Sequence, residues 1–540
     1  MEKRVILALA LSFLVILGFQ FLYTKFFPSP KIFYNATSKE SSKYKSKGIS
    51  EKVQKKRIES DFFASNLKNF LIYLIDTPGY NATLISSGVR FQSFKLKKYF
   101  IDKKKKKPVE LVSASSESLP LEIYLSSKPE LAVIGYKGPE TKKIVVKNTN
   151  NKTVSFITNY QNIVLEKTFT FKKNSYYIDM KVTLINKSKK NLKDNLLIRG
   201  VFSPFVDGTR YVFKGPFYYT DHLNEVKIKN HLEEFVGPLK YIGFEDNYFM
   251  VAVIPENMSN STFRATFRNL KKNTQEFILW LPTFELKTGE KISYKFKLYM
   301  GPKKLEEMQK EYPLLGKALY FGIFDFVAKP LLYILKFSNK FTHNFGWDII
   351  IITILLRILF FPLNHISFKS MKKMQELQPI IQRLREKYKD DPQALNQEIM
   401  KIYKTYKINP FSGCLPIFIQ IPVFIAFYKV LLMAIELRHA PFMLWIDDLS
   451  APERLYLGTF HIPYLGGIPL LTILMGFSMY LQQKLSPSSP DPFQQKLMLF
   501  MPVFFTILFV NFPSGLVLYW FVNNILSIAQ QYLTLKLSKK

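Results

Sequence analysis

One arginine lies deep inside an apolar stretch that is long enough to cross a bilayer as a helix. The stretch covers residues 344–363, and at about 1.5 Å per residue Arg357 lies roughly 9 Å from Leu363 at its end. An arginine at that depth costs roughly 2.5–3.5 kcal/mol on insertion scales. Two interpretations follow. The side chain snorkels to the nearer membrane surface, or it lines a water-filled cavity that receives a polar or negative group.

Polar residues on the same segment and on other apolar segments are candidates for the same cavity. These residues are Thr353, Gln420, Tyr519 and Asn523. For each one alone, a helix–helix hydrogen bond is the simpler role. The other charges of these segments, Asp348, Lys429 and Glu436, are not carboxylates at the depth of Arg357. A buried charge without a partner needs water, backbone carbonyls or a transient ligand, which favours the cavity.

Composition excludes several classes of protein. The chain has 540 residues, a net charge of +35 and 48% hydrophobic residues, which fits a membrane protein with basic water-facing parts and at least two domains. The single cysteine, Cys414, excludes a disulfide framework and a cysteine-cluster zinc site. The phosphate-binding GxxxxGK[ST], the GxSxG nucleophile elbow and the HExxH zinc motif do not occur, so we expect no metal, no cofactor and no enzyme activity.

A β-rich region separates the amino terminus from the apolar segments. Residues 176–185 and 162–171 alternate apolar and polar side chains, which is the period of a half-buried strand. Turn-forming residues such as those at 148–152 separate these runs. The pattern predicts a large β domain built as a two-sheet sandwich. After it, residues 315–340 mix apolar and charged side chains, and this pattern predicts a pair of amphipathic helices on the outer membrane surface.

Charge sets the orientation of the predicted spans. Basic residues outnumber acidic ones in residues 367–412 and in the tail, whereas acidic residues outnumber basic ones in residues 438–466. The positive-inside rule therefore predicts a cytoplasmic helical hairpin, with a kink at Pro379, and cytoplasmic termini. The predicted segments, by residue number, are a first transmembrane helix (1–24), a linker (25–60), the β domain (61–303), amphipathic surface helices (304–343), transmembrane helix 2 (344–366), the hairpin (367–412), transmembrane helix 3 (413–437), an outer loop (438–466), transmembrane helices 4, 5 and 6 (467–484, 494–511 and 513–533) and a basic tail (534–540).

An ordered set of short motifs resembles one known family. The motifs are NFGW at 344–347, LQP at 377–379, NPFSGCLPIFIQ at 409–420, WIDDL at 445–449, FPSGLVLY at 512–519 and YIGFEDNYFMVAVIP at 241–255. Together they resemble the YidC/Oxa/Alb membrane protein insertases, in the long form of Gram-negative-type bacteria. Two features depart from many members of this family: the tail is short, and Trp520 follows Tyr519 where they have a second tyrosine. The resemblance implies a polytopic α-helical protein of the inner membrane, with six transmembrane helices and a periplasmic β-supersandwich.

The resemblance also implies a mechanism. A groove open to the cytoplasm and to lipid would receive the hydrophilic end of a newly made protein at Arg357. Its apolar segment would slide along a second set of side chains. That set is Pro422, Phe424, Phe427, Met501 and Phe505. Burial of an apolar helix in lipid would drive insertion without ATP. The implied partners are nascent membrane proteins, the Sec translocon, the ribosome through cytoplasmic loops, and the bilayer.

Two other functions remain open from the sequence. A secondary transporter could bind an anionic solute at Arg357, although such proteins usually contain internal repeats with paired broken helices, and none is visible here. The β domain could bind or modify a glycan, although no clustered carboxylate pair stands out in its sequence.

Overall fold

The computed structural model describes most of the chain after its first 69 residues. It covers residues 70–102, 106–112, 119–146, 151–206, 212–229, 232–258, 261–271, 273–389, 391–406, 415–457, 465–485 and 492–537. The described residues all belong to one compact unit, Phe63–Lys540. The predicted first transmembrane helix and linker lie outside the described residues, as do residues 538–540 of the predicted basic tail.

Strands make up the amino-terminal half of this unit. They are β1 Ile72–Asp76, β2 Tyr80–Ile85, β3 Arg90–Asp102, β4 Lys107–Glu110, β5 Glu122–Leu125, β6 Lys143–Val145, β7 Lys152–Tyr160, β8 Ile163–Phe171, β9 Tyr177–Asn186, β10 Leu192–Asp194, β11 Leu196–Phe202, β12 Gly215–Tyr219, β13 Leu223–Glu225, β14 Leu232–Pro238, β15 Tyr241–Glu245, β16 Phe249–Pro255, β17 Thr262–Lys271, β18 Thr274–Trp280, β19 Phe284–Leu286 and β20 Lys291–Pro302. The largest sheet has eight strands in the order β13-β12-β15-β16-β20-β9-β8-β7. Two five-stranded sheets follow the orders β4-β3-β2-β1-β6 and β14-β17-β18-β11-β5, and β10 pairs with β19.

The sheets share one hydrophobic core, to which the three largest contribute phenylalanines such as Phe94, Phe169 and Phe277. Alternation explains the central strands: in β9 the inward Ile178, Met180 and Val182 are buried while Lys181 is exposed. The prediction of two sheets is wrong, because the described strands form four. Beside the eight-stranded sheet and the two five-stranded sheets, β10 pairs with β19 in a separate antiparallel pair.

One inward position of β8 carries a charge instead of an apolar side chain. Lys167 lies between Leu165 and Phe169 on the inward face and is fully buried. Its ammonium donates hydrogen bonds to the carbonyl oxygens of Gly88, at 2.7 Å, and Ile123, at 3.1 Å. Gly88 has φ +62°, and a Cβ there would lie 1.8 Å from the carbonyl oxygen of Ala132. Burial, reinforced by nearby Arg90, lowers the pKa of Lys167 to about 7.

Helices make up the rest of the described unit. They are α1 Leu305–Gln309, α2 Asp325–Thr342, α3 Phe345–Leu359, α4 Phe361–Glu376, α5 Gln378–Lys387, α6 Pro392–Thr405, α7 Leu415–Met433, α8 Leu470–Leu485, α9 Pro492–Phe509 and α10 Ser514–Leu537. The predicted pair of amphipathic helices is one α-helix, α2. Before it, Pro313–Ala318 and Gly322–Phe324 form only 3₁₀ turns, and Gly322 has a left-handed φ of +83°, which does not occur inside an α-helix.

Helix length bears on the predicted spans. Among the described residues, no single helix is both long and apolar enough to cross a membrane. The pair α3 and α4 meets that criterion when taken together, with a bend of 63° between them. The bend falls at Phe360, and Pro362 stands in the first turn of α4. The six predicted transmembrane helices therefore stay a prediction.

The predicted hairpin region contains α5 and α6, which contact each other. A small apolar cluster of Leu377 and Ile381 packs with Ile399, Ile402 and other half-buried residues. A new helix begins after Asp391, whose side chain caps α6 by accepting hydrogen bonds from the backbone N–H groups of Gln393 and Ala394. Pro379 does not bend a continuous arm. It lies in the first turn of α5, after α4 has ended at Glu376.

Candidate functional site

Helix α3 positions Arg357 against α10. Ile349, Ile352 and Thr353 form the buried face of α3, and Arg357 follows one turn after Thr353. The guanidinium Nη2 of Arg357 donates a hydrogen bond to the Ser527 hydroxyl of α10. Ser527 in turn donates to the backbone carbonyl of Asn523, at 2.8 Å. Within the part of the chain that the structure describes, Nε of Arg357 has no hydrogen-bond partner.

A small cavity adjoins this arginine. Its volume is about 20 Å³, and its lining consists of Leu356, Arg357, Phe360, Leu363, Asn364, Gln420, Val423, Tyr519 and Asn523. Four of the five predicted groove residues therefore meet at one place: Arg357, Gln420, Tyr519 and Asn523. A cavity of this size holds about one water molecule, so a polypeptide segment could enter only after the helices separate.

Thr353 does not share this place. It is buried, and its hydroxyl donates to the carbonyl of Ile349 at 2.6 Å, one turn back in the same helix. This bond uses the hydroxyl proton within α3, and Thr353 is not among the residues that line the cavity.

Sequence reasoning missed a polar face on α10. Its buried members are Asn523, Asn524, Ser527, Gln530 and Gln531. Asn524 donates to the Ser478 hydroxyl of α8 at 3.0 Å, and Gln530 donates to the Phe361 carbonyl at 3.3 Å. The signal was present in the sequence, because polar residues three, four and seven positions apart share one side of a helix.

Apolar residues close the other side of the cavity. In α3, Ile349 and Ile352 precede Arg357, and in α10, Leu516 and Val517 precede Asn523. All four are buried in one cluster together with residues of α7. In both helices, therefore, an apolar layer precedes the level of the arginine in the sequence. Polar side chains lie at that level and follow it toward the carboxyl end of α10.

The predicted sliding surface is only partly at the surface. Phe427 is fully buried and stacks on Tyr519, with ring centroids 5.0 Å apart, so it offers nothing to a passing segment. Pro422, Phe424, Met501 and Phe505 are half-buried. Phe424 and Phe505 both contact Trp520, at 5.0 and 5.8 Å between ring centroids.

The outward face of α9 lies beside these residues and is strongly apolar. Its exposed members are Leu499, Phe500, Val503, Phe504, Ile507 and Leu508. Their spacing by three and four residues places them on one side of the helix. Sequence reasoning identified this stretch but selected Met501 and Phe505, which lie on the half-buried side.

Helix α2 braces α3 through a buried carboxylate. Asp348 of α3 is fully buried and accepts hydrogen bonds from Asn339 Nδ2, at 2.7 Å, and Thr342 Oγ1, at 2.6 Å. The Ser338 hydroxyl of α2 donates to the same carboxylate. Leu331 and Leu335 of α2 are buried in the cluster that contains Ile349. The position of α3 therefore depends on α2.

The loop after α7 contacts the β domain through a histidine. His439 Nδ1 lies 2.9 Å from a carboxylate oxygen of Asp448, and Nε2 lies 3.2 Å from the carbonyl oxygen of Phe100 in β3. Hydrogen bonds from His439 and Ser450 lower the pKa of Asp448 against the opposing effect of burial. Within the described ranges, no group of three or more His, Cys, Asp or Glu residues is placed to hold a metal ion.

Comparisons with known proteins identify the family. The model of the 60Kd inner membrane protein matches residues 337–540, and that of the YidC periplasmic domain matches residues 73–334. The membrane protein insertase YidC of Syntrophobacter fumaroxidans is 38% identical over 98% of this chain and 99% of its own length. That of Syntrophus aciditrophicus is 37% identical over the same shares.

A crystal structure of an active YidC insertase, with its first transmembrane domain resolved, is 21% identical. It covers 86% of this chain and 94% of its own, with a TM-score of 0.37. The sequence relatives alone decide the assignment, because they match nearly the whole chain at well above 30% identity. The chain therefore belongs to the YidC family of membrane protein insertases.

Proposed function

We propose that the protein inserts newly made membrane proteins by admitting a hydrophilic client segment to the cavity at Arg357. The observation that carries this proposal is the partial burial of the Arg357 guanidinium without an acidic partner among the described residues. The guanidinium is partly buried among apolar helices, and a hydroxyl is its one hydrogen-bond partner among the described residues. A charge in such a place attracts an anionic group strongly, because little protein charge competes for it.

The distribution of polar side chains supports access from one side. Asn364 and Asn523 line the cavity, and Asn523 begins the polar face of α10. Ile349, Leu516 and Val517 are buried in the apolar cluster that precedes the arginine in the chain. We propose that the open side faces the cytoplasm, with the α5–α6 hairpin and both termini there and the β domain in the periplasm. Because the cavity has room for about one water, α7 and α10 must separate when a client enters.

Short helices fit a locally thin membrane. At about 1.5 Å per residue, the 15 residues of α3 span roughly 22 Å, less than the ~30 Å of a hydrocarbon core. We propose six spans, with the bilayer thinned around α3 and around α8, which has 16 residues. Thinning shortens the distance that a polar client segment must cross, which lowers the barrier to its transfer.

The outward face of α9 supplies the second half of the mechanism. We propose that the apolar segment of the client moves along Phe500, Phe504 and Ile507, with Phe424 and Phe505 behind them. Burial of a client helix of about 20 residues in lipid releases more free energy than transfer of a short polar tail costs. No nucleotide and no covalent step is therefore needed, and the protein acts as an insertase and chaperone without being an enzyme.

Nascent membrane proteins are the clients in this scheme. We propose that the ribosome approaches through the hairpin and that the Sec translocon acts beside the outward face of α9 for some clients. The anion-transporter alternative shares the charge of Arg357 but has no further observation in its favour among the described residues.

The test is reconstitution of the purified full chain in liposomes, with a small single-span client whose translocated tail is acidic. Arg357→Ala should lower insertion of this client. At an effective dielectric of about 20 and a separation of about 6 Å, the lost attraction is about 3 kcal/mol, up to roughly a hundredfold in rate. Arg357→Lys should retain most of the activity, because it keeps the charge.

A client with a neutral tail is the matched control, and Arg357→Ala should lower its insertion only slightly. Equal insertion of both clients by the alanine variant, at equal protein abundance, would refute the role of the charge.

A further inference from the structure

A second cavity, far larger than the one at Arg357, lies where the β domain meets the helices. Its volume is about 450 Å³, within the range of small-molecule sites. Its lining comes from the β12–β13 region, β15, the turn after β20, the segment before α2 and the end of α7. These lining residues are Val212, Phe213, Glu225, Lys227, Glu245, Lys303, Tyr320, Phe321, Gly322, Lys429 and Met433. The mechanism proposed above uses none of them.

The charges of this cavity favour an anion. Lys303 and Glu245 form an ion pair at 2.7 Å with both side chains 2% exposed, and they neutralise each other. Lys227 from the β domain and Lys429 from α7 line the same cavity, against one further acid, Glu225. Among the described residues that line the cavity, the formal charges of three lysines and two glutamates therefore sum to +1.

Apolar surface continues from the cavity along α2. Phe321 and Met433 line the cavity, and the exposed face of the neighbouring turn and helix carries large apolar side chains. They are Ile323, Phe326, Tyr333, Phe337 and Phe341, with exposures from 54% to 72%. A free inorganic anion would make no use of such a surface, whereas a molecule with a charged head and apolar chains would use both parts.

We propose that this cavity binds the phosphate headgroup of an anionic phospholipid of the outer leaflet, whose acyl chains lie along the outward face of α2. The proposal uses the orientation given above, in which α2 lies at the outer membrane surface, but it is independent of Arg357. Lys227 and Lys429 contact the phosphate, and Tyr320 lies at the mouth of the cavity. The lipid then joins the β domain to the helices at the level of α2.

The test uses the full chain in detergent, stripped of lipid and returned to nanodiscs of equal parts phosphatidylglycerol and phosphatidylcholine. Native mass spectrometry counts the lipid that remains bound after release. We expect phosphatidylglycerol to be enriched roughly tenfold over phosphatidylcholine, and the double variant Lys227→Gln/Lys429→Gln to bring this ratio close to one. Lys229→Gln is the matched control, because it removes an exposed lysine that does not line the cavity.

Three results would overturn the proposal. The first is no enrichment in the unchanged protein, and the second is undiminished enrichment in the double variant. The third is displacement of the lipid by millimolar inorganic phosphate, which would assign the site to a free anion. Lys227→Gln alone provides a variant that cannot fail through folding, since its side chain is exposed, and it should lower the enrichment severalfold. The insertion assay of Arg357→Ala does not depend on the outcome of the lipid-binding assay, so failure of one proposal is distinguishable from failure of the other.

Discussion

The buried Lys167 makes the stability of the β domain depend on pH in a way that one substitution should remove. The change is Lys167→Met, which keeps an unbranched side chain as far as Cε and deletes the charged ammonium. Two carbonyl oxygens, of Gly88 and Ile123, also lose their donor, and this loss lowers stability by an amount that changes little with pH. The difference in pH dependence is the informative quantity, because the lost hydrogen bonds do not titrate.

The magnitude follows from the two pKa values. Lys167 titrates at about 7 in the folded protein and at 10.5 when unfolded, because burial disfavours its charged form. Between these values the unfolded chain binds one more proton than the folded chain. Stability therefore rises as pH rises from 7 to 10.5 and is lost as pH falls through that window. At 1.36 kcal/mol per pKa unit, the full effect is about 5 kcal/mol.

The assay is pulse proteolysis in urea of the full chain in detergent micelles, at intervals from pH 7 to pH 10. We expect the free energy of unfolding of the unchanged β domain to rise by about 4 kcal/mol relative to Lys167→Met across this range. Lys181→Met is the matched control, because Lys181 is exposed on the neighbouring strand β9, and it should keep the original slope. Parallel pH profiles for the unchanged protein and Lys167→Met would refute the reasoning.

Three further predictions concern the helices. Asp348→Ala removes the carboxylate that accepts hydrogen bonds from three side chains of α2, and it should destabilise the contact of α2 with α3 by about 2–4 kcal/mol. Hydrogen exchange of the α2 backbone measures this loss, with Asp348→Asn as the control. Equal exchange in the two variants would contradict the prediction. Deletion of residues 61–288 should leave client insertion intact, whereas Leu331→Asp and Phe326→Asp should impair it when all variants are equally abundant in the membrane. The reverse outcome would show that the β domain, and not α2, is needed for insertion. Backbone amides of the hairpin should exchange faster than those of α10, because its apolar cluster is small, and slow exchange there without a partner would be the contrary result.

Periodicity in the sequence predicted the strands well, because alternating burial leaves a direct trace. β8 and β9 lie within one residue of their predicted ranges. The same reasoning passed over Lys167, since a charge at an inward position looks like a defect until the carbonyls of Gly88 and Ile123 are placed around it. Those two residues are far away in sequence, and only the packed sheets bring them to the ammonium.

The sequence predicted which residues line the candidate site better than it predicted which of them are buried. Residue type and depth singled out Arg357, Gln420, Tyr519 and Asn523, and the structure brings them to one cavity. Ser527 was overlooked although it follows Asn523 by one turn. The burial of Phe427 could not be predicted, because side chains of an apolar helix look alike until its neighbours are known.

The apolar layer of Ile349, Leu516 and Val517 has a consequence for the energy supply of the cell. Residues of this layer lie about 9–12 Å from the level of Arg357 along the helices, at 1.5 Å per residue. In the proposed mechanism, an ion that reached the arginine from the polar side would meet these apolar side chains next, and crossing them would cost several kcal/mol. We therefore propose that the protein admits polar segments from one side while the proton gradient across the membrane remains intact.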